Sequence, residues 1–304
     1  MQGEGADASV ADQVVAAIER AGGVAVASYD SVASPEGGEA IVRTAVDRFG
    51  RLDAVVSNAG IFNSVPFDEL SHADWRRMLS VHLDGGFYLS QPAFRVMKSQ
   101  GYGRFVFMAS SAGLFGQPLE AHYAAAKAGL LGLTNVIAIE GAPHGILANT
   151  VLPFGYTRMV TGTVADPKSL EDTEAVTELG GRVSGTSVHG DSQRPTGADP
   201  PDRRRPQASG FLNAIQPELV VPIVVFLASR ACEFTHHNYS ACAGRFARVF
   251  VGLGEGWLAE RGSKPTADDI AAHISDVSAT ETFTVPMSIF DEVFGICDRL
   301  GITA

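Results

Sequence analysis

Cysteine is scarce: 304 residues hold only Cys232, Cys242 and Cys297. An odd, sparse set builds no disulfide framework, so the sequence predicts a reducing, cytoplasmic setting. Basic residues are also in deficit, with 23 Lys and Arg against 34 Asp and Glu and a net charge of -11. Nucleic acid is held through basic contacts to phosphate, so it is not an expected partner. No apolar run is long. The strongest, Leu219 to Ala228, is interrupted by Pro222 and has about half the length of a bilayer span. The opening MQGEGADASV has neither the basic nor the apolar part of a secretory signal, so no membrane partner is expected. What the chain has is 45% apolar content, enough for a well-buried core.

Helical and strand-like segments alternate, which predicts a parallel α/β sheet. Helical spacing runs through residues 8–21, with Val10, Val14, Val15 and Ile18 on one face, and through 37–49. Residues 71–98 read as one long helical region, opened by Ser71 and Asp74 in the pattern of a capping box. Further helices are expected at 121–140, 217–229 and from near Thr266 and Ser288. Strands are expected at 24–29, 53–57, 104–109, 146–152 and 246–253. Residues 180–210 are Gly, Pro, Ser and charge, a composition that cannot offset its ordering entropy. The chain therefore divides into an incomplete dinucleotide-binding and catalytic core at 1–160, a flexible insertion over the substrate cleft at 161–215, and the C-terminal part of the same domain at 216–304.

The sharpest chemical feature is Tyr123-Ala-Ala-Ala-Lys127. Positions i and i+4 share a helix face, so phenol and ammonium point the same way. Alone, this pair is equally an ordinary surface contact. Ser110 ends the strand before that helix, and Asn58-Ala59-Gly60 ends an earlier one. Open α/β sheets bind ligands at that edge.

SNAG at 57–60, SSAGLFG at 110–116, YAAAK at 123–127 and LPFGYTRM at 152–159 resemble the short-chain dehydrogenase/reductases. AVASYDSV at 25–32, VHLDGGF at 81–87, GYGRFVFMASS at 101–111, AIEG at 138–141 and CEFT at 232–235 resemble one branch in particular. That branch is the (3R)-hydroxyacyl-CoA dehydrogenase unit of multifunctional enzymes type 2. The resemblance implies a Rossmann-like doubly wound parallel sheet and NAD or NADP as cofactor, NAD on the branch alone. It also implies a small-molecule secondary alcohol or ketone as substrate, which the branch narrows to a 3-hydroxyacyl thioester, and a homo-oligomer. By position, Tyr123 is the general acid/base. Lys127 favours its phenolate and holds the nicotinamide ribose, and Ser110 bonds the substrate oxygen, with Ser111 the competing choice. Asn58, Ala59 and Gly60 line the cofactor cleft, Ser31 and Val32 sit by the adenine, and Gly155 and Thr157 lie near the carboxamide. His82 stands where the superfamily mostly has asparagine and this branch has histidine. A proton relay and a buried, satisfied histidine are equally open for it.

The family's T-G-x-x-x-G-x-G turn has no counterpart here. The expected fold therefore lacks the first strand, the glycine-rich turn and the first helix, and the 304-residue chain is expected to bind dinucleotide poorly. A catalytically inactive, truncated paralogue serving as a partner subunit is the alternative reading. Cys232, His236, His237 and Cys242 match no standard zinc spacing, so no metal is expected. GLGEG at 252–256 reads as a loop.

Overall fold

The computed structural model describes residues 8–157 and 214–302. They fall into two compact units, one of residues 8–157 with 214–249 and one of residues 250–302. The expected insertion lies outside the described residues as far as 213, and with it all of 180–210.

The first unit opens with α1 (Ala8–Arg20) and α2 (Pro35–Phe49). Strand β1 (Ala54–Ser57), helices α3 (His72–Leu79) and α4 (Gly85–Gln100), and strand β2 (Gly103–Met108) follow. Next come α5 (Ala112–Phe115), α6 (Ala121–Gly141), β3 (Ile146–Phe154), α7 (Val221–Ala228), β4 (His237–Cys242) and β5 (Arg245–Val249). The sheet order is β1-β2-β3-β4-β5. The first four strands are parallel, and β5 returns antiparallel through a two-residue turn. Ala243 and Gly244, at φ 51° and 77°, take the positive angles such a turn needs.

Strand β2 is buried along its whole length, as a central parallel strand covered on both faces should be. Phe105 and Phe107 pack with Val42, Met97 and Leu130 of α2, α4 and α6. Val106 and Met108, on the alternate face, pack with Leu227 of α7, Cys232 and Ala241. Strands β1, β2 and β3 therefore deliver the loops that follow them to one edge of the sheet.

Two expectations change and a third is refined. Residues 24–29 form no strand, and Val24 and Tyr29 are 64% and 63% exposed. β-branched residues make a strand only where a neighbour supplies the ladder, and the sheet ends at β1. The expected helical region 71–98 is present without a break, with Ser71 Oγ accepting from Asp74 N at 3.0 Å, and it gains a π-helical turn at Ser80–Asp84 between α3 and α4. The expected strand 246–253 splits between the units. Its second part becomes β6 (Leu253–Gly254), paired antiparallel with β7 (Phe283–Thr284).

The second unit also holds α8 (Ala267–Ala272), α9 (Ile274–Val277) and α10 (Ile289–Leu300). Thr266 and Ser288 form capping boxes with Asp269 and Asp291 at the starts of α8 and α10. All three cysteines are free thiols. No helix of the described residues is long and apolar enough to cross a membrane.

Candidate active site

The C-terminal ends of β1, β2 and β3 lead directly into Asn58, Ala109-Ser110 and Gly155. Strand β2 is in register with β3 on one side and β1 on the other, so these loops share one edge. Ser110 Oγ accepts from Ala112 N at 3.2 Å, and the Ser110 hydroxyl is near enough to the Tyr123 phenol to oppose the rise of its pKa. Tyr123 stands on the first turn of α6. Its ring meets Phe62 edge-on at 5.2 Å and His82 edge-on at 5.3 Å, centroid to centroid. Lys127, one turn on, is buried and donates from Nζ to Met108 O at 2.6 Å. Its Nζ lies 5.5 Å from the Tyr123 ring centroid. Gly113 lets the Ser110 loop settle against this turn, because a Cβ there would lie 2.8 Å from Ala128 N. Ser110, Tyr123 and Lys127 are thus brought together as the sequence predicts, and Ser111 leads into α5 instead.

The electrostatics differ from the expectation of a lowered phenol. Burial pushes Tyr123 up to about 12, with the Glu120 charge adding and the Ser110 hydrogen bond opposing. Burial brings Lys127 down to about 8. Its ammonium is directed at a main-chain carbonyl, so the phenol gains little from it.

His82 sits in the π-helical turn, whose extra residue is closed by Gly85 N bonding to Ser80 O. Its Nε2 lies 2.8 Å from Ile61 O and 3.2 Å from Ile61 N, tying the 58–61 loop to the helix that carries it. Gly60 must lack a side chain there, since a Cβ would lie 2.4 Å from His82 Cε1. Burial, then the Lys127 charge, brings His82 down to about 3, so its imidazole is neutral. Its Nδ1 is buried without a hydrogen-bond partner.

Of the cofactor positions expected from sequence, Asn58, Ala59 and Gly60 are exposed beside His82. Gly155 packs 3.5 Å from Pro217 Cα by its ideal Cβ position, and Thr157 follows, exposed. Ser31 is exposed just before α2, and Val32 lies against Gly85 at the start of α4. Sequence reading missed Glu120, a buried carboxyl three residues before Tyr123. It also missed the buried His122, whose Nε2 meets Asn63 Oδ1 at 2.9 Å. Cys232 is buried at 3.4 Å from Phe234 O, and His237 Nδ1 meets the Tyr239 hydroxyl at 2.9 Å. Among the described residues no three His, Cys, Asp or Glu side chains are grouped to hold a metal ion.

A family model described as short chain dehydrogenase matches residues 5–168. A short-chain type dehydrogenase/reductase of Mycobacterium tuberculosis is 34% identical over 276 residues, covering 91% of this chain and 81% of that protein. The peroxisomal multifunctional enzyme type 2 of Mus musculus is 33% identical over 300 residues, 98% of this chain but 35% of that protein. The solved full-length peroxisomal multifunctional enzyme type 2 from Drosophila melanogaster superposes with a TM-score of 0.72 at 26% identity, covering 96% of this chain and 44% of that one. The chain therefore spans about a third of the multifunctional enzyme and most of the mycobacterial protein.

Proposed function

Since the chain belongs to the short-chain dehydrogenase/reductase family of NAD(P)-dependent oxidoreductases, we propose that it moves a hydride between the nicotinamide and a secondary alcohol or ketone, that of a 3-hydroxyacyl thioester. The observation that carries this is the convergence of Ser110, Tyr123 and Lys127 at the strand ends, with Lys127 Nζ buried 5.5 Å from the Tyr123 ring centroid and bonded to Met108 O at the end of β2. The thioester rests on the sequence resemblance to the (3R)-hydroxyacyl-CoA dehydrogenase branch, as does NAD over NADP.

The residues present fit the nicotinamide end of such a cofactor. Lys127 keeps ammonium protons beyond the one given to Met108 O, which suits it to hold ribose hydroxyls. Asn58, Ala59 and Gly60 are small and exposed, so a ligand can approach their backbone. When bound, the nicotinamide accepts or gives the hydride. Tyr123 gives its proton to the substrate oxygen during ketone reduction and takes it back during alcohol oxidation. Ser110, held by Ala112 N, bonds the same oxygen as charge builds on it.

Tyr123→Phe removes that proton and little else, so turnover of a 3-oxoacyl thioester should fall by about 10²-fold or more with native circular dichroism intact. Retention of more than about a tenth of wild-type turnover would remove Tyr123 from the chemistry. Equal kcat/KM for the thioester and a simple secondary alcohol would remove the thioester.

A further inference from the structure

We propose that Glu120 is a positioning residue for the acid/base step, a buried carboxyl whose charge state sets how readily Tyr123 loses its proton; this rests on the reading of Tyr123 given above. The carboxyl's place is built in. Glu120 immediately precedes α6, and its main-chain oxygen accepts from Ala124 N at 2.7 Å. Leu119 before it adopts φ 68°, a left-handed conformation that L residues with a branched side chain rarely take. Val65 N holds that kink by donating to Leu119 O at 2.8 Å. The result is a carboxyl only 2% exposed, one helical turn before the catalytic phenol.

The carboxyl is held by a neutral group. Its side-chain bond comes from a neutral amide, Gln117 Nε2 to Oε1 at 2.8 Å. Burial disfavours the charged form of a carboxyl and pushes Glu120 up to about 7. It therefore changes charge in the neutral range, and the negative form opposes a second negative charge on Tyr123.

The other charged groups around this pair act differently. On α6, Lys127 is turned to Met108 O, and His122 is held down by burial. From α3, Asp74 acts on His122 rather than on Tyr123. From the π-helical turn, His82 stays neutral. The loop beside α6 contributes the neutral Ser110 and Gln117, and α5 carries no ionisable side chain. The two titrations of Glu120 and Tyr123 are thus opposed: losing the first proton makes the second harder to lose.

Two measurements on the ligand-free 304-residue chain test this. The first is infrared difference spectroscopy with ¹³C-glutamate labelling. A buried carboxylic-acid carbonyl band should be present near pH 5, vanish by about pH 9, and be missing from Glu120→Gln. The second is phenolate absorbance, taken as the difference between each protein and its Tyr123→Phe counterpart. Its onset should fall by roughly one pH unit in Glu120→Gln. A wild-type spectrum with no glutamic-acid band titrating in that range overturns the proposal, as does an unchanged phenolate onset. Should Glu120→Gln lose native circular dichroism, the wild-type band alone decides. A shifted onset together with full turnover by Tyr123→Phe would keep this coupling and sink the catalytic role instead.

Discussion

Replacing His82 by glutamine should give two stability curves that cross as pH falls. Glutamine keeps an amide donor and acceptor for Ile61, so at about pH 7.5 the loss is mainly the edge-on packing against Tyr123. Such a ring contact contributes about 1 kcal/mol. Wild type carries a second, pH-dependent term. His82 titrates at about 3 in the folded protein against an ordinary 6.5, chiefly through burial. The folded state therefore binds fewer protons than the unfolded chain between those values. Stability from the neutral imidazole is complete above about pH 6.5 and is lost as pH falls, at about 1.4 kcal/mol per pH unit. By pH 5 the loss is about 2 kcal/mol, and it reaches on the order of 5 kcal/mol below pH 3. The variant lacks this term. It should be less stable near neutrality, equal near pH 6, and more stable than wild type by about 1 kcal/mol at pH 5. Glu120 and the surface carboxylates titrate in both proteins and cancel in the difference. Urea unfolding followed by circular dichroism at several pH values gives the two curves. Parallel curves would refute the claim that His82 is held neutral by the fold.

Arg104 is buried, donates to the carbonyls of Gly103, Gly145, Ser229 and Cys232, and lies 4.4 Å over the Tyr102 ring. Arg104→Leu would strand those oxygens and should cost about 3 kcal/mol or more in the same urea assay. A cost under about 1 kcal/mol would show that water replaces the guanidinium. On α6, the exposed residues Ala125, Ala128, Gly132, Val136 and Ile139 form one stripe, and a Cβ at Gly132 would meet nothing within 4 Å. If this stripe is the surface through which copies associate, Gly132→Leu should leave the melt unchanged and lower the mass seen by light scattering. A wild-type monomer, or an unaltered mass in the variant, would rule that surface out.

What the sequence made legible is what depends on neighbours a few positions away. Helix spacing, the cap at Ser71, the helix starts near Thr266 and Ser288, and the shared face of Tyr123 and Lys127 all follow from local geometry. The misses depend on distant partners. Residues 24–29 have strand composition, but a strand is defined by the neighbour it pairs with, and β1 is the sheet's edge. The π-helical turn has no composition signal, since Ser80–Asp84 would suit an α-helix equally well. Its cause is tertiary: His82 is drawn to Ile61 and fills the space above Gly60. Glu120 was hidden for the same reason, because a glutamate before a helix is ordinarily a solvated charge and only the kink at Leu119 goes with its burial.

The same distinction separates the position of Tyr123 and Lys127 from their charge. Spacing alone places phenol and ammonium on one face. Whether the ammonium lowers the phenol depends on what else the ammonium touches, and here it touches Met108 O. With Tyr123 at about 12, holding it as phenolate at pH 7 costs about 7 kcal/mol in the ligand-free protein, roughly 1.4 kcal/mol for each pH unit between the two. A neutral phenol is already in the form needed to give a proton to a ketone oxygen. On the proposed role, alcohol oxidation needs the opposite form, and among the described residues burial and then the Glu120 charge work against it, while the Lys127 ammonium is directed at Met108 O. On the role proposed for Tyr123, the described residues therefore hold the phenol in its acid form in the ligand-free protein, with burial as the chief cause.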